Sequence, residues 1–294
     1  NKTSITSSRG VSSLSYDNEN QLLSASHPEA DELHQLEQFN YDSLGNRVAD
    51  NFGSYSYDEK KYRLEEDWKY LYAYDLNGNL ISKQEKGLSG KVWNYVYSSE
   101  NQLVQADLYE GAAKLKSLEF SYDPQGRRIR KHVHDLQANS EYERRYAYDG
   151  SEIIAELDEG DNVLARYTHS GLRTDDVLGV EITSAGVSRG LASSSGDYFY
   201  LKDGLGSVQA ITDGSGNVLQ RYVYSSFGKL LKVSDAVGNE IAPLVKTSYT
   251  FTNRELDDET GLYFYRARYY DSHSGRFMQE DSHPGVTGEP ITLN

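Results

Sequence analysis

The sequence contains no cysteine, five prolines, one methionine and two tryptophans among its 294 residues. The absence of cysteine removes disulfides, thiolate metal sites and cysteine nucleophiles together. Long apolar runs are missing as well, since nothing approaches the ~18 consecutive apolar residues of a membrane span. Asn1-Lys2-Thr3-Ser4 opens the chain with neither an initiator methionine nor a signal-peptide core, so the sequence reads as a piece of something longer. Positive charge is in short supply, with 30 Lys and Arg against 45 Asp and Glu and a formal net charge of −15 spread along the chain. Without a basic cluster, nucleic acid is not an expected partner, and acidity of this kind serves solubility. There is no Gly-x-Ser-x-Gly elbow, no phosphate loop and no dinucleotide fingerprint, so conventional enzyme chemistry and a bound cofactor are not expected.

What the chain has instead is tyrosine. Only 37% of residues are apolar, yet Tyr fills 25 positions. Tyr pairs a large apolar ring with a hydroxyl that needs a partner, which suits a wall with protein on one side and water on the other. Such an aromatic content also argues against a disordered chain.

The tyrosines recur in a motif. Tyr41-Asp42-Ser43-Leu44-Gly45-Asn46-Arg47-Val48 is echoed by Tyr74-Asp75-Leu76-Asn77-Gly78-Asn79-Leu80 and by Tyr122-Asp123-Pro124-Gln125-Gly126-Arg127-Arg128-Ile129. Degenerate copies start at Tyr16, Tyr57, Tyr97 and Tyr148, and Asp158–Leu164 and Asp213–Leu219 keep the turn without the leading Tyr. The irregular spacing lies in the range of solenoid-like arrays. Before each Tyr the residues alternate: Tyr70, Tyr72 and Tyr74 share one face of a strand, as do Trp93, Tyr95 and Tyr97, and Leu118, Phe120 and Tyr122. After it, Asp can accept the backbone N–H two residues on, and Gly or Asn can take the positive φ of a tight hairpin. The reading is an all-β chain of antiparallel hairpins that must curl or stack to cover its one apolar face. Helix should be scarce; Pro28–Leu33, with Ser26 or His27 near its cap, is the best place for a short one. Small residues make 174–196 a loop or insertion, and 232–247 also breaks the pattern.

Metal chemistry is not supported by the residues. Asp213-x-Ser215-x-Asn217 begins like a calcium loop, but Val218 and Tyr224 stand where such a loop needs Gly and Glu. His132 and His134 share a strand face without further ligands, and His273 and His283 are equally isolated.

The tandem Tyr-Asp-x-x-Gly units resemble the YD repeats of bacterial Rhs proteins, insecticidal toxin complex C components, wall-associated Rhs-like proteins and animal teneurins. The resemblance extends to Asp203-Gly204-Leu205-Gly206-Ser207-Val208, where Gly204 replaces the usual His, and to Tyr224-Ser225-Ser226-Phe227-Gly228. It is sharpest over Phe251–Glu255, Gly261–Asp271 and Gly275–Asp281, which are similar to the Rhs repeat-associated core. The resemblance implies a curved or hollow YD-repeat β-shell over residues 1–230 and, over 231–294, a core segment that acts as plug or cap. It implies encapsulation or presentation of a C-terminal toxin or cargo domain of the same polypeptide, in a protein exported to the cell surface or beyond, with secretion-system or cell-surface partners.

In many bacterial members the core also cuts itself by aspartate chemistry. The family's Asp-Pro after Gly-Arg-Phe is Asp281-Ser282 here, and the chain ends before the family's downstream Asp-Pro-x-Gly-Leu region, so a cleavage site is not expected within it. Asp281 is the one catalytic residue the resemblance supplies, with a turn aspartate as the alternative; Glu289, Asp271 or a downstream residue could be its partner acid. Arg266, Arg268 and Arg276 are expected to pair with acids such as Glu255, Asp271 or Asp281 inside a packed plug. Two other readings are kept: a surface adhesin or glycan-binding module using Trp93 and Tyr95, and a self-cleaving core that is silent in this segment.

Overall fold

In a computed structural model of the chain, the described residues are 3–7, 10–58, 63–88, 90–172 and 175–281. They form three antiparallel sheets. Five strands from Ser4–Ser7 to Arg47–Asp50 make an N-terminal sheet. Sixteen strands from Ser56–Tyr57 to Leu230–Ser234 make the wall, and four, Glu255–Asp257, Leu262–Tyr265, Arg268–Asp271 and Arg276–Phe277, make a C-terminal sheet. In every sheet the strand order follows the chain order, so each connection is a local hairpin.

The repeated motif explains these hairpins atom by atom. Asp42 Oδ1 accepts from Leu44 N at 2.9 Å and Asn46 N at 2.8 Å, and Asn46 Nδ2 closes on Asp42 Oδ2 at 3.0 Å. Asp123 does the same with Gln125 N and Arg127 N, and takes the Arg127 Nε at 2.6 Å. This is why Asn or Arg follows the Gly. Gly45, Gly78 and Gly126 sit at φ 83, 85 and 81, in turns and not in strand centres. A register shift falls at the tyrosine of each such hairpin, between Asn40 and Tyr41, Ala73 and Tyr74, and Ser121 and Tyr122. One left-handed glycine with a bulge opposite is the geometry of the longer hairpin turns.

The same bulge aims the tyrosine backwards. The hydroxyls of Tyr41, Tyr57, Tyr97, Tyr122 and Tyr148 donate to the carbonyls of Leu22, Arg47, Leu80, Leu103 and Arg128. Each acceptor opens the return strand of the preceding hairpin. Tyr224 bonds Val208 in the same way, and His169 takes the tyrosine's part with Ile153. Ring and hydroxyl are thus both satisfied at the seam between neighbouring repeats.

Two local expectations are corrected. The stretch read as a loop or insertion at 174–196 contains regular structure: Val177–Ile182 is a wall strand between Val163–His169 and Gly196–Lys202, followed by the helix Ser184–Ser188. Residue 174 lies outside the described residues. The small residues there permit close approach. A Cβ on Gly179 would stand 2.4 Å from Tyr198 O, and one on Gly186 2.3 Å from Leu164 O. The Pro28–Leu33 segment is not helical but two turns, closed by Ala30 N to His27 O and His34 N to Asp31 O. Past the wall, residues 235–250 return across it. Gln220, fully buried, accepts from Leu244 N and Val245 N and donates to Val245 O, seating Val245 in the core.

The wall–core interface and the cavity at Asp281

The C-terminal sheet is held to the wall by buried charge. Arg128, on a wall strand, is 1% exposed and lies among the rings of Phe120, Tyr146, Phe264 and Tyr269. Its Nη1 donates to Asp257 at 2.5 Å, while Lys131 Nζ meets the other Asp257 oxygen at 2.9 Å and Glu259 at 3.0 Å. Burial works against the Asp257 carboxylate, but the two cations hold it below the ordinary range. Lys83 pairs with Asp271 at 2.7 Å in the same manner. Further along, His273 Nε2 lies 2.9 Å from Asp67, which also accepts from Tyr72 and from the Tyr70 amide. Those donors outweigh its burial and keep its carboxyl at about 2. The N-terminal sheet reaches the core too, through Arg47, whose Nη2 donates to the Ser274 carbonyl at 2.6 Å and whose guanidinium lies 4.6 Å from the Phe227 ring centre.

The pairing differs from the sequence expectation in its direction. Cations on the wall take the acids of the core at Asp257 and Asp271, and cations of the core take acids on the wall. Arg254 forks onto Asp175 at 3.0 and 2.6 Å, and Arg266 bridges Asp175 and Glu152. Arg276 lies against the Tyr57 ring. Arg268 pairs as expected, its Nη2 standing 2.8 Å from Asp281. Asp271 is committed to Lys83, and Glu289 lies outside the described residues.

Asp281 borders a cavity of about 480 Å³ between the core and the tips of four wall hairpins, lined by Asn79, Gln102, Arg127, Glu255, Arg268 and Gln279 among others. Three buried polar atoms of its lining have no hydrogen-bond partner among the described residues: Glu255 Oε2, Arg268 Nη1 and Gln279 Nε2. Buried polar groups are nearly always paired, so three at one cavity are unusual. Gln279 is oriented by its own carbonyl, which accepts from Tyr269 N at 3.0 Å and leaves the amide nitrogen unpaired. Glu255 is 6% exposed, and its other oxygen accepts from the Tyr249 hydroxyl at 3.4 Å. Burial raises its carboxyl to about 7, against the pull of Arg128 and Arg254. The sequence offered Glu255 only as a counter-ion. Nothing in its spacing marks the depth of its burial.

Trp93 and Tyr95 stack on one another at 6.2 Å, with Tyr95 buried at 4% and Trp93 half-buried. Asp213 accepts from Ser215 N and Asn217 N, as an ordinary hairpin turn. His132 pairs with Glu141.

Compared with protein families, residues 1–142 and 190–289 match the teneurin YD-shell. The chain belongs to that family. The stretch between the matched segments continues the YD-shell wall without a break in strand order. Among curated proteins, the tRNA3(Ser)-specific nuclease WapA of Bacillus spizizenii is 30% identical over 225 residues, 76% of this chain and 8% of that protein. Double-stranded DNA deaminase toxin A of Burkholderia cenocepacia is 26% identical over 97% of this chain and 19% of its own. Among solved structures, the TcdB2-TccC3-TEV crystal structure superposes with a TM-score of 0.52 at 16% identity, over 96% of this chain and 16% of that one. The YD-shell segment thus spans under a fifth of each of these relatives. No helix among the described residues is long and apolar enough to cross a membrane.

Proposed function

We propose that this YD-shell segment is part of the wall and the inner cap of a capsule that encloses or presents a C-terminal cargo of the same polypeptide, exported to the cell surface or beyond. One observation supports this most: the core sheet is fastened to the tyrosine face of the wall by buried ion pairs, Arg128–Asp257 and Lys83–Asp271. Breaking such pairs one partner at a time is costly, so the cap and wall act as one body. A surface adhesin would show its aromatic faces to solvent, whereas Tyr72, Tyr95, Tyr146 and Tyr200 are buried. Relatives named as nucleases and a deaminase toxin support a toxin as cargo.

Asp281 takes part in releasing that cargo by cutting the chain downstream of itself. Its place at the cavity, held by Arg268, supports the role, since a carboxylate can take a proton from an attacking water. Electron microscopy of the parent polypeptide tests the shell: a closed hollow particle is expected, and an open ribbon would refute it. Asp281→Asn tests the cut, which should be lost while the particle still assembles.

A further inference from the structure

We infer that the turn Ser225–Gly228, at the tip of the last wall hairpin, is a conditional joint: it is ordered only while the N-terminal sheet and the core sheet are both docked on it, so that loosening one sheet loosens the seat of the other. The reason lies in how the hairpins close. Asp42, Asp203 and Asp213 each accept the amides two and four positions on, at 2.8 to 2.9 Å, so their turns are held by their own residues. Ser98 does the same less closely, at 3.2 and 3.3 Å. At Ser225 the hydroxyl takes Lys229 N at 3.0 Å, and a carboxylate comes from elsewhere in the chain. Glu37, 189 positions before Ser226 and on the strand Leu36–Tyr41, accepts from Ser226 N at 2.7 Å and from the Ser226 hydroxyl at 2.6 Å. His27 Nε2 stands 2.7 Å from the same Glu37 oxygen. Burial raises the Glu37 carboxyl, but His27 and Ser226 outweigh it and hold the group below its ordinary range, so the clamp is charged.

The other half of the turn belongs to the core. The Tyr270 hydroxyl donates to Phe227 O at 3.0 Å, and that of Tyr263 to Gly228 O at 2.8 Å. The Phe227 ring stands between the two sheets. Phe39 meets it edge-on at 5.1 Å and the Arg47 guanidinium lies 4.6 Å from its centre, while on the core side a Cβ added to Gly275 would come within 2.9 Å of Phe227 Cδ1. Ser226, Phe227 and Gly228 thus each bond or pack against a sheet other than their own. Among the described residues, the two main hydrophobic clusters include nothing before Tyr55, so the N-terminal sheet is seated through contacts such as these. A short segment that orders only against its neighbours is a two-state element, and both sheets bias it. The joint needs neither cargo nor cleavage to work.

Hydrogen exchange of the parent polypeptide, read by mass spectrometry, tests the joint. Glu37→Gln keeps the shape but replaces charge-assisted hydrogen bonds by neutral ones, so exchange over 225–229 should quicken by on the order of tenfold. The effect should reach the core turn at 271–275, where Gly275 N is bonded to Asp271 O, while 213–217, closed by Asp213, keeps its rate. Tyr270→Phe leaves the Phe227 carbonyl unpaired and should quicken 225–229 by a similar factor. Adding Ser225→Asp to Glu37→Gln gives the turn a carboxylate of its own and should return 225–229 to slow exchange. Unchanged exchange over 225–229 in either single variant overturns the inference, as does an unchanged 271–275 in Glu37→Gln. An equal rise over 213–217 also overturns it, because the whole wall would then have loosened. So does a turn that stays fast after Ser225→Asp, since closing it would not be what Glu37 supplies.

Discussion

The Tyr97 hydroxyl donates to the carbonyl of Leu80 at 3.0 Å, and Leu80 is the first residue of the return strand in the hairpin before it. The motif tyrosine therefore fixes the spacing between repeats as well as filling the core. Tyr97→Phe keeps the ring and leaves that carbonyl unpaired, which should cost about 1–3 kcal/mol. Urea unfolding checks it, with the midpoint lowered and the slope unchanged. A shift of only a few tenths would mean the hydroxyl is dispensable.

Gly78 and Gly126 occupy the same place in their hairpins at nearly the same φ, but their surroundings differ. A Cβ on Gly126 meets only Gln102 Nε2, at 3.3 Å, whereas one on Gly78 would lie 2.5 Å from Glu280 Oε1 and 2.7 Å from Arg63 Nη2. Gly126→Ala should cost about 1 kcal/mol, the price of a left-handed backbone alone. Gly78→Ala should cost more and displace the Arg63–Glu280 pair beside the cavity. Denaturation of both variants gives the comparison; equal losses would show that the contact at Gly78 relaxes freely.

The repeats, the hairpin turns and the Tyr faces were legible because each is local: the motif residues bond within a few positions of one another, and strand alternation is visible in a line of text. What joins distant parts was not. No spacing rule connects Arg128 to Asp257 or Lys83 to Asp271, so the resemblance gave a plug but not the direction of its charges. Within 174–196 the wall strand was not legible because Gly179 and Gly186, which allow close approach of neighbouring backbone, look the same in sequence as glycines that loosen a loop. Asp281 enters through a motif, and the structure places it beside Arg268 at the cavity. The burial of Glu255 at the same cavity is a tertiary fact that no spacing carries.

Asp257 holds two wall cations at once, which makes the cap's attachment asymmetric. Asp257→Asn leaves Arg128 buried and uncompensated and should cost about 3–5 kcal/mol. Arg128→Met should cost less, because Lys131 still pairs with Asp257 and methionine fills part of the ring-lined space. Limited proteolysis should then cut the C-terminal sheet of Asp257→Asn first, ahead of the wall. Simultaneous loss of wall and cap would show that the two do not separate as distinct units.

Stability should peak on the acid side of neutrality, with Asp67 and Glu255 contributing to opposite limbs. Asp67 is fully buried and held at about 2, below its usual 3.8, so it stabilises the fold above that usual value and loses its contribution as pH falls from about 4 to 2, about 2 kcal/mol in all. Asp158, also held at about 2 by its hairpin amides, steepens the same limb. Glu255 has the opposite sign. Its folded value of about 7 exceeds the ordinary 4.5, so the unfolded chain releases that proton first, and stability declines as pH rises from about 4.5 to 7, by about 3 kcal/mol. Above pH 7 both states are ionised and the loss stops growing. Glu255→Gln cannot ionise and should flatten the neutral limb while leaving the acid limb of Asp67 in place. Unfolding midpoints between pH 2 and 8 for both proteins decide it, and a neutral limb that persists in Glu255→Gln would place the proton elsewhere.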